Sequence, residues 1–139
     1  MGPGATLGYA LAMSRQTYAD ASYISLETFK RDGNGVKTPV WCAPLDGKIV
    51  VFTEAKAFKV KRLRRDSKIR VACCDMRGKV RGEWCMGTGR ISDSQAEQDQ
   101  AYAALREKYG WMMKLTDFFS TLSGRIHGRA ILVLTLDVD

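Results

Sequence analysis

Histidine is almost missing from this chain: His127 is the only one in 139 residues, which argues against a metal centre built on imidazole ligands. Cysteine is sparse as well. Cys42, Cys73, Cys74 and Cys85 form no C-x-x-C pair, so neither a zinc ribbon nor a disulfide-framed secreted scaffold is expected. They read as reduced thiols of a cytoplasmic protein, with the adjacent Cys73 and Cys74 pointing to opposite faces of a strand. No apolar run approaches the roughly 20 residues of a membrane span. The mildly apolar stretch Ala5 to Met13 is interrupted by Gly8 and preceded by no Lys or Arg, so it does not read as a signal peptide. Also lacking are paired carboxylates and any Ser-His-Asp arrangement. No catalytic acid or base and no metal ligand is assigned.

What is present is a good supply of apolar residues, 45% against 27% charged, enough for one domain with a buried core. The net charge of +7 is a local property. Between Lys56 and Arg70 stand eight basic residues and the single acid Asp66, so this segment alone carries a surplus equal to that of the whole chain. Such a concentration asks for one anionic partner at one place.

From Ser22 onward, short β-rich runs alternate with turn dipeptides. Strands are predicted at Tyr23 to Phe29, Val36 to Ala43, Lys48 to Thr53, Lys68 to Met76, Lys79 to Ile91 and Gly128 to Val138, the first three as consecutive antiparallel neighbours joined by Asp32-Gly33-Asn34-Gly35 and Pro44-Leu45-Asp46-Gly47. Ala57, Val60 and Leu63 recur at three-residue spacing, which predicts a short one-faced helix from near Thr53 to before Ser67. A second helix is predicted from the cap Ser92-Asp93-Ser94 to about Tyr109, ended by Gly110, and a third over 111–122. The expected fold is mainly β with a few helices: a split β-barrel of about six antiparallel strands. Residues 1–21 are taken as an N-terminal extension with a short helix and 22–139 as the barrel. Within the extension, residues 1–12 read as an upstream segment, with Met13-Ser14-Arg15 as an alternative start.

A helix with Thr53 at its N-terminal end and Lys56, Lys59 and Arg62 along one flank is suited to hold an anion, a phosphate above all. Two other readings of the same residues stay open. One is a solvated cationic face; the other is nucleic-acid binding by a small basic barrel with exposed aromatics.

The run Tyr23-Ile24-Ser25-Leu26-Glu27-Thr28-Phe29-Lys30-Arg31-Asp32-Gly33, then Thr38-Pro39-Val40-Trp41, Asp46-Gly47-Lys48, Phe52-Thr53-Glu54 and Lys59-Val60-Lys61-Arg62-Leu63-Arg64-Arg65-Asp66, resembles the pyridoxamine 5′-phosphate oxidase-like superfamily. Within it the chain is most similar to the short probable deazaflavin (coenzyme F420)-dependent enzymes. The resemblance implies a homodimeric split barrel with a flavin-like cofactor at the subunit interface, F420 or alternatively FMN, that transfers hydride to a small conjugated substrate. Carried over by position, Thr53 and Lys59 match the phosphate-binding residues, Lys56 and Arg62 lie near enough to join them, and Thr38, Pro39, Val40 and Trp41 match the segment along the cofactor ring. Trp84 is placed at a neighbouring subunit's groove as a substrate contact. Glu83 and Tyr23 are candidate polar contacts, and Trp111, Met112, Met113, Phe118 and Phe119 a possible apolar lining. Arg125-Ile126-His127 has the spelling of the substrate-phosphate element of true pyridoxamine phosphate oxidases but precedes the final strand, so that activity is not expected. Neither a membrane nor nucleic acid is the expected partner.

Overall fold

The computed structural model describes residues 14–110 and 128–138; the expectations for 1–12, for a helix over 111–122 and for Arg125-Ile126-His127 lie outside them. Seven strands form one antiparallel sheet: β1 (Tyr23–Phe29), β2 (Gly35–Val40), β3 (Cys42–Leu45), β4 (Lys48–Glu54), β5 (Lys68–Cys74), β6 (Cys85–Ile91) and β7 (Arg129–Leu136). The order across the sheet is β2-β1-β5-β6-β7-β4-β3. β2 and β3 therefore lie at opposite edges although Trp41 alone separates them in sequence. A sheet whose two edges are joined by one residue has to curl upon itself, and the result is a split barrel.

The expected second strand, Val36 to Ala43 paired on both sides, is thus corrected to two strands. Val40 closes the ladder with Ile24 of β1, and Cys42 opens the ladder with Val51 of β4. The chain changes sheet edge at Trp41, giving seven strands where six were read. The turn before β4 is as expected: Asp46 and Gly47 both take positive φ, 50° and 76°, the pair a tight two-residue hairpin requires. The strand expected from Lys79 is shortened to begin at Cys85. Asp75 accepts the N–H groups of Arg77 and Lys79, each at 2.9 Å, and this turn leaves only an isolated bridge between Cys74 and Val80.

Alternation along the strands sends Ile24, Leu26, Ile49, Val51, Ile69, Val71, Leu132 and Leu134 into one interior cluster. Two short helices complete it. From α1 (Arg15–Asp20) come Tyr18 and Ala19, and from α2 (Phe58–Arg65) come Val60 and Leu63. α1, inside the 1–21 segment, is therefore part of the barrel core. It packs where β7 ends, Arg15 reaching the Val138 carbonyl at 3.3 Å, whereas α2 packs where β1 ends; the helices plug opposite mouths. A third helix, α3 (Gln95–Tyr109), lies on the outer face, where Ala101 and Leu105 bury against Ala43, Val50, Ile131 and Val133. Its N-cap is Ser94, whose hydroxyl accepts the Glu97 N–H, as the spacing predicted. Burying such aliphatic side chains contributes about 1.5–3 kcal/mol each. Among the described residues no helix is long and apolar enough to cross a membrane.

Candidate functional site

The helix expected from near Thr53 begins only at Phe58. Thr53 and Glu54 are held in β4 by pairing with Ala130 and Arg129, so Thr53 is a strand residue and Lys56 lies exposed in the connecting turn. Ala57 occupies the N-cap without a side-chain hydrogen bond. α2 itself keeps its predicted one-sidedness. Val60 and Leu63 enter the core, and the residue before each, Lys59 and Arg62, falls on one flank.

That flank faces a polar rim on the barrel's inner surface. Lys59 Nζ donates to Thr53 Oγ1 at 3.4 Å, and Arg62 Nη1 donates to Thr28 Oγ1 at 3.2 Å. Thr53 continues the alternation of Ile49 and Val51, and Thr28 that of Ile24 and Leu26, so both hydroxyls point the same way as the core side chains. Thr38 is paired with Leu26 and shares that face. Its Oγ1 is buried and has no hydrogen-bond partner among the described residues. Burial, with the Arg62 guanidinium next in weight, pushes the Lys59 ammonium below the ordinary lysine range, Glu54 pulling the other way. A desolvated cation with one long hydrogen bond, a second cation beside it and an unsatisfied hydroxyl on the same face of the sheet together suit an anion that carries further polar groups.

The residues expected along a cofactor ring divide between two faces. Thr38 and Val40 point inward, Val40 into the core. Pro39 alternates outward and is exposed. Trp41 is stacked on Tyr109 of α3, with ring centroids 4.4 Å apart and planes 8° from parallel, and meets Phe52 edge-on at 6.0 Å. Trp84 lies on the outer face, where Lys37 Nζ and Arg70 Cζ stand 5.1 and 4.7 Å from its ring centroid. The Glu83 carbonyl accepts the Tyr18 hydroxyl at 2.9 Å. The structure thus brings together Thr53, Lys59 and Arg62, sets Thr38 on the same face of the sheet as Thr28, and gives Pro39, Trp41, Lys56 and Trp84 no hydrogen bond or ring contact to that group among the described residues. Trp111, Met112, Met113, Phe118 and Phe119 lie outside the described residues.

Sequence reading missed two things. One is Thr28, whose position at the inward end of the alternating β1 was the available signal. The other is a groove of about 530 Å³ on the far flank of α2, lined by Lys30, Arg31, Phe58, Lys61, Arg62 and Arg65.

No protein-family model matches the chain, and no curated protein matches it. Solved structures do. A conserved hypothetical protein from Mycobacterium tuberculosis aligns over 87% of this chain and 77% of its own, at 21% identity and a TM-score of 0.65. A Clostridium acetobutylicum protein related to general stress protein 26, of the pyridoxinephosphate oxidase family, aligns over 93% and 84% at 18% identity and 0.63. The heme storage protein HutZ from Vibrio cholerae aligns over 90% and 86% at 11% identity and 0.64. The chain has the split-barrel fold of pyridoxamine 5′-phosphate oxidase-like proteins. At these identities the likeness is one of fold.

Proposed function

We propose that the chain is an oxidoreductase that holds the phosphate of coenzyme F420, or alternatively of FMN, under α2 and transfers hydride to a small conjugated substrate. The observation that carries this reading is the paired arrangement at the mouth, Lys59 with Thr53 and Arg62 with Thr28, with the unsatisfied Thr38 hydroxyl on the same face of the sheet. Lys59 and Arg62 would hold the phosphate, the Thr53 and Thr28 hydroxyls would shift from cation to phosphate oxygens, and Thr38 would meet a polar group further along the ligand. When bound, the flavin-type ring supplies the hydride chemistry; the protein binds, orients and keeps water out. Lys61, Arg64 and Arg65 in the same helix add positive potential that favours the more anionic F420.

The reading includes a homodimer. Met76, Met86 and Val80 are exposed, at 66%, 45% and 37%, and Met86 and Trp84 belong to the outer face that α3 leaves uncovered. From there Trp84 would reach a ligand only across a subunit boundary. All four cysteines are free thiols, in keeping with the reducing cytoplasm.

The test is a titration of the purified protein with F420, FMN and haemin, followed by tryptophan quenching. Saturable binding of F420 or FMN that is lost in Lys59→Ala supports the reading and identifies the cofactor. Binding of neither, or of haemin alone, overturns it.

A further inference from the structure

The far flank of α2 forms a second surface that shares Arg62 with the mouth. Phe58, Lys61, Arg62 and Arg65 follow the i, i+3, i+4, i+7 spacing of one helical face, and the β1–β2 turn brings Lys30 and Arg31 to the same groove. Five of the six lining residues are cations and none is an acid. The sixth, Phe58, is 69% exposed, an unusual position for a large apolar ring on a helix so rich in charge. Lys61 Nζ stands 5.4 Å and Arg62 Cζ 5.9 Å from its centroid.

We infer that this groove binds single-stranded nucleic acid, with a base stacked on Phe58 and the backbone phosphates on Lys30, Arg31, Lys61 and Arg65. Sequence-independent single-strand sites combine these two elements, an aromatic platform and a basic track. Two of the cations are already positioned. Arg65 Nη2 donates to the Phe29 carbonyl at 2.5 Å and Arg62 to Thr28; a guanidinium has five N–H donors, so each keeps others for phosphate. The concave shape favours a flexible strand over a membrane surface, and so does the apolar content, because among the described residues Phe58 is the single apolar one lining the groove. In sequence the nucleic-acid reading was weaker, since nothing there brings Lys30 and Arg31 beside Phe58. The inference does not rest on the proposed cofactor: the groove shares Arg62 with the mouth, but the base platform Phe58 and the cations Lys30 and Arg31 are not among the residues assigned to the cofactor phosphate.

The experiment is fluorescence anisotropy of the full chain with a labelled oligothymidylate of about ten nucleotides, at several salt concentrations, beside phosphatidylserine vesicles and free thymidine monophosphate. Binding should weaken as salt rises. Phe58→Ala should reduce affinity about tenfold or more with the salt dependence unchanged, and Phe58→Tyr should restore it. The double variant Lys30→Ala, Arg31→Ala should lower the slope of log affinity against log salt by about 1.4, roughly 0.7 for each lost phosphate contact. All three positions are exposed, so the variants should melt like the parent protein and titrate unchanged with FMN and F420. Phe58→Ala binding as tightly as the parent, vesicles binding more tightly than the strand, or thymidine monophosphate displacing the strand at equal phosphate concentration would each overturn the inference.

Discussion

Lys108, near the end of α3, donates to the carbonyl of Cys42, the first residue of β3, at 2.7 Å, and its Nζ lies 3.7 Å from the Cys42 sulfur. The same ammonium donates to the carbonyls of Ala19 and Ala21 at 2.6 Å each. One side chain therefore ties the end of α1 to the point where the chain changes sheet edge, satisfying carbonyls at both, and the Cys42 carbonyl also accepts from the Tyr109 hydroxyl at 3.0 Å. Tyr109 reinforces the junction, its hydroxyl accepting the Cys42 N–H at 3.0 Å while its ring covers Trp41. Burial raises the Cys42 thiol to about 11, against the pull of Lys108, so it stays protonated at neutral pH.

Lys108→Met keeps the apolar stem and removes all three bonds. The expected cost is about 2–4 kcal/mol, because hydrogen bonds to a charged group are worth roughly 1.5–3 kcal/mol each and water recovers part of the loss. Urea unfolding checks it: a midpoint that does not move would show that the carbonyls are satisfied without the ammonium.

A second prediction concerns the face of β1 turned away from the core. Glu27 is only 4% exposed and accepts from Arg70 Nε at 2.5 Å. The space that its carboxylate occupies is that of a missing side chain: a Cβ at Gly35 would lie 2.0 Å from Glu27 Oε2. Gly35→Ala should destabilise the protein by about 1–3 kcal/mol, the usual cost of overpacking. In a Glu27→Ala background, where the clash is gone, the added cost of Gly35→Ala should vanish. Additive losses in the double variant would show that the carboxylate is not the obstacle.

How far these relationships were legible in sequence depends on their range. The Asp46-Gly47 turn, the inward alternation of Ile24 and Leu26 and the shared flank of Lys59 and Arg62 are local, and period and turn chemistry were enough to find them. Thr53 was misread as a helix start because its hydroxyl suits an N-cap, whereas its pairing with Ala130, distant in sequence, keeps it in β4. The break at Trp41 has no local signal at all; it follows from the need of a curled sheet to join its edges. For Thr28 the alternation of β1 gave its inward direction, but its partner is long-range, since only the docking of α2 brings Arg62 to it. Ring-contact roles for Pro39 and Trp41 came from resemblance, and the alternation of β2 turns Pro39 outward while Tyr109 occupies one face of Trp41.

The link between β6 and α3 should respond to acid. Arg90 grips Glu97 with two hydrogen bonds, at 2.8 and 2.6 Å, and this, with the Ser92 hydroxyl next, lowers the Glu97 carboxyl from 4.5 to about 2. A folded-state value below the unfolded one means stability that is present above pH 4.5 and is lost as pH falls toward about 2. The pair is solvent-accessible, so its contribution is about 1 kcal/mol at most. Arg90→Ala should lower the melting temperature at neutral pH by up to a few degrees, leave the value near pH 2 unchanged, and so flatten the dependence within that window. A curve parallel to that of the parent protein would show that the pair adds nothing.

Lys59 offers the sharpest test of the mouth. Its ammonium is partly desolvated and is held below the ordinary lysine value of 10.5 by burial and by Arg62, so in the absence of an anion it works against its own protonation. A bound phosphate reverses that, because charge-assisted bonds favour the protonated form. Two consequences can be measured. Lys59→Ala should weaken F420 or FMN binding by about 1.5–3 kcal/mol, with little loss of stability, since the side chain makes one long bond to Thr53. In the parent protein, affinity should fall as pH rises through the lowered Lys59 value, below 10.5, and in Lys59→Ala this fall should disappear. If the variant keeps the pH dependence of the parent, the titrating group lies elsewhere and Lys59 is not the phosphate ligand.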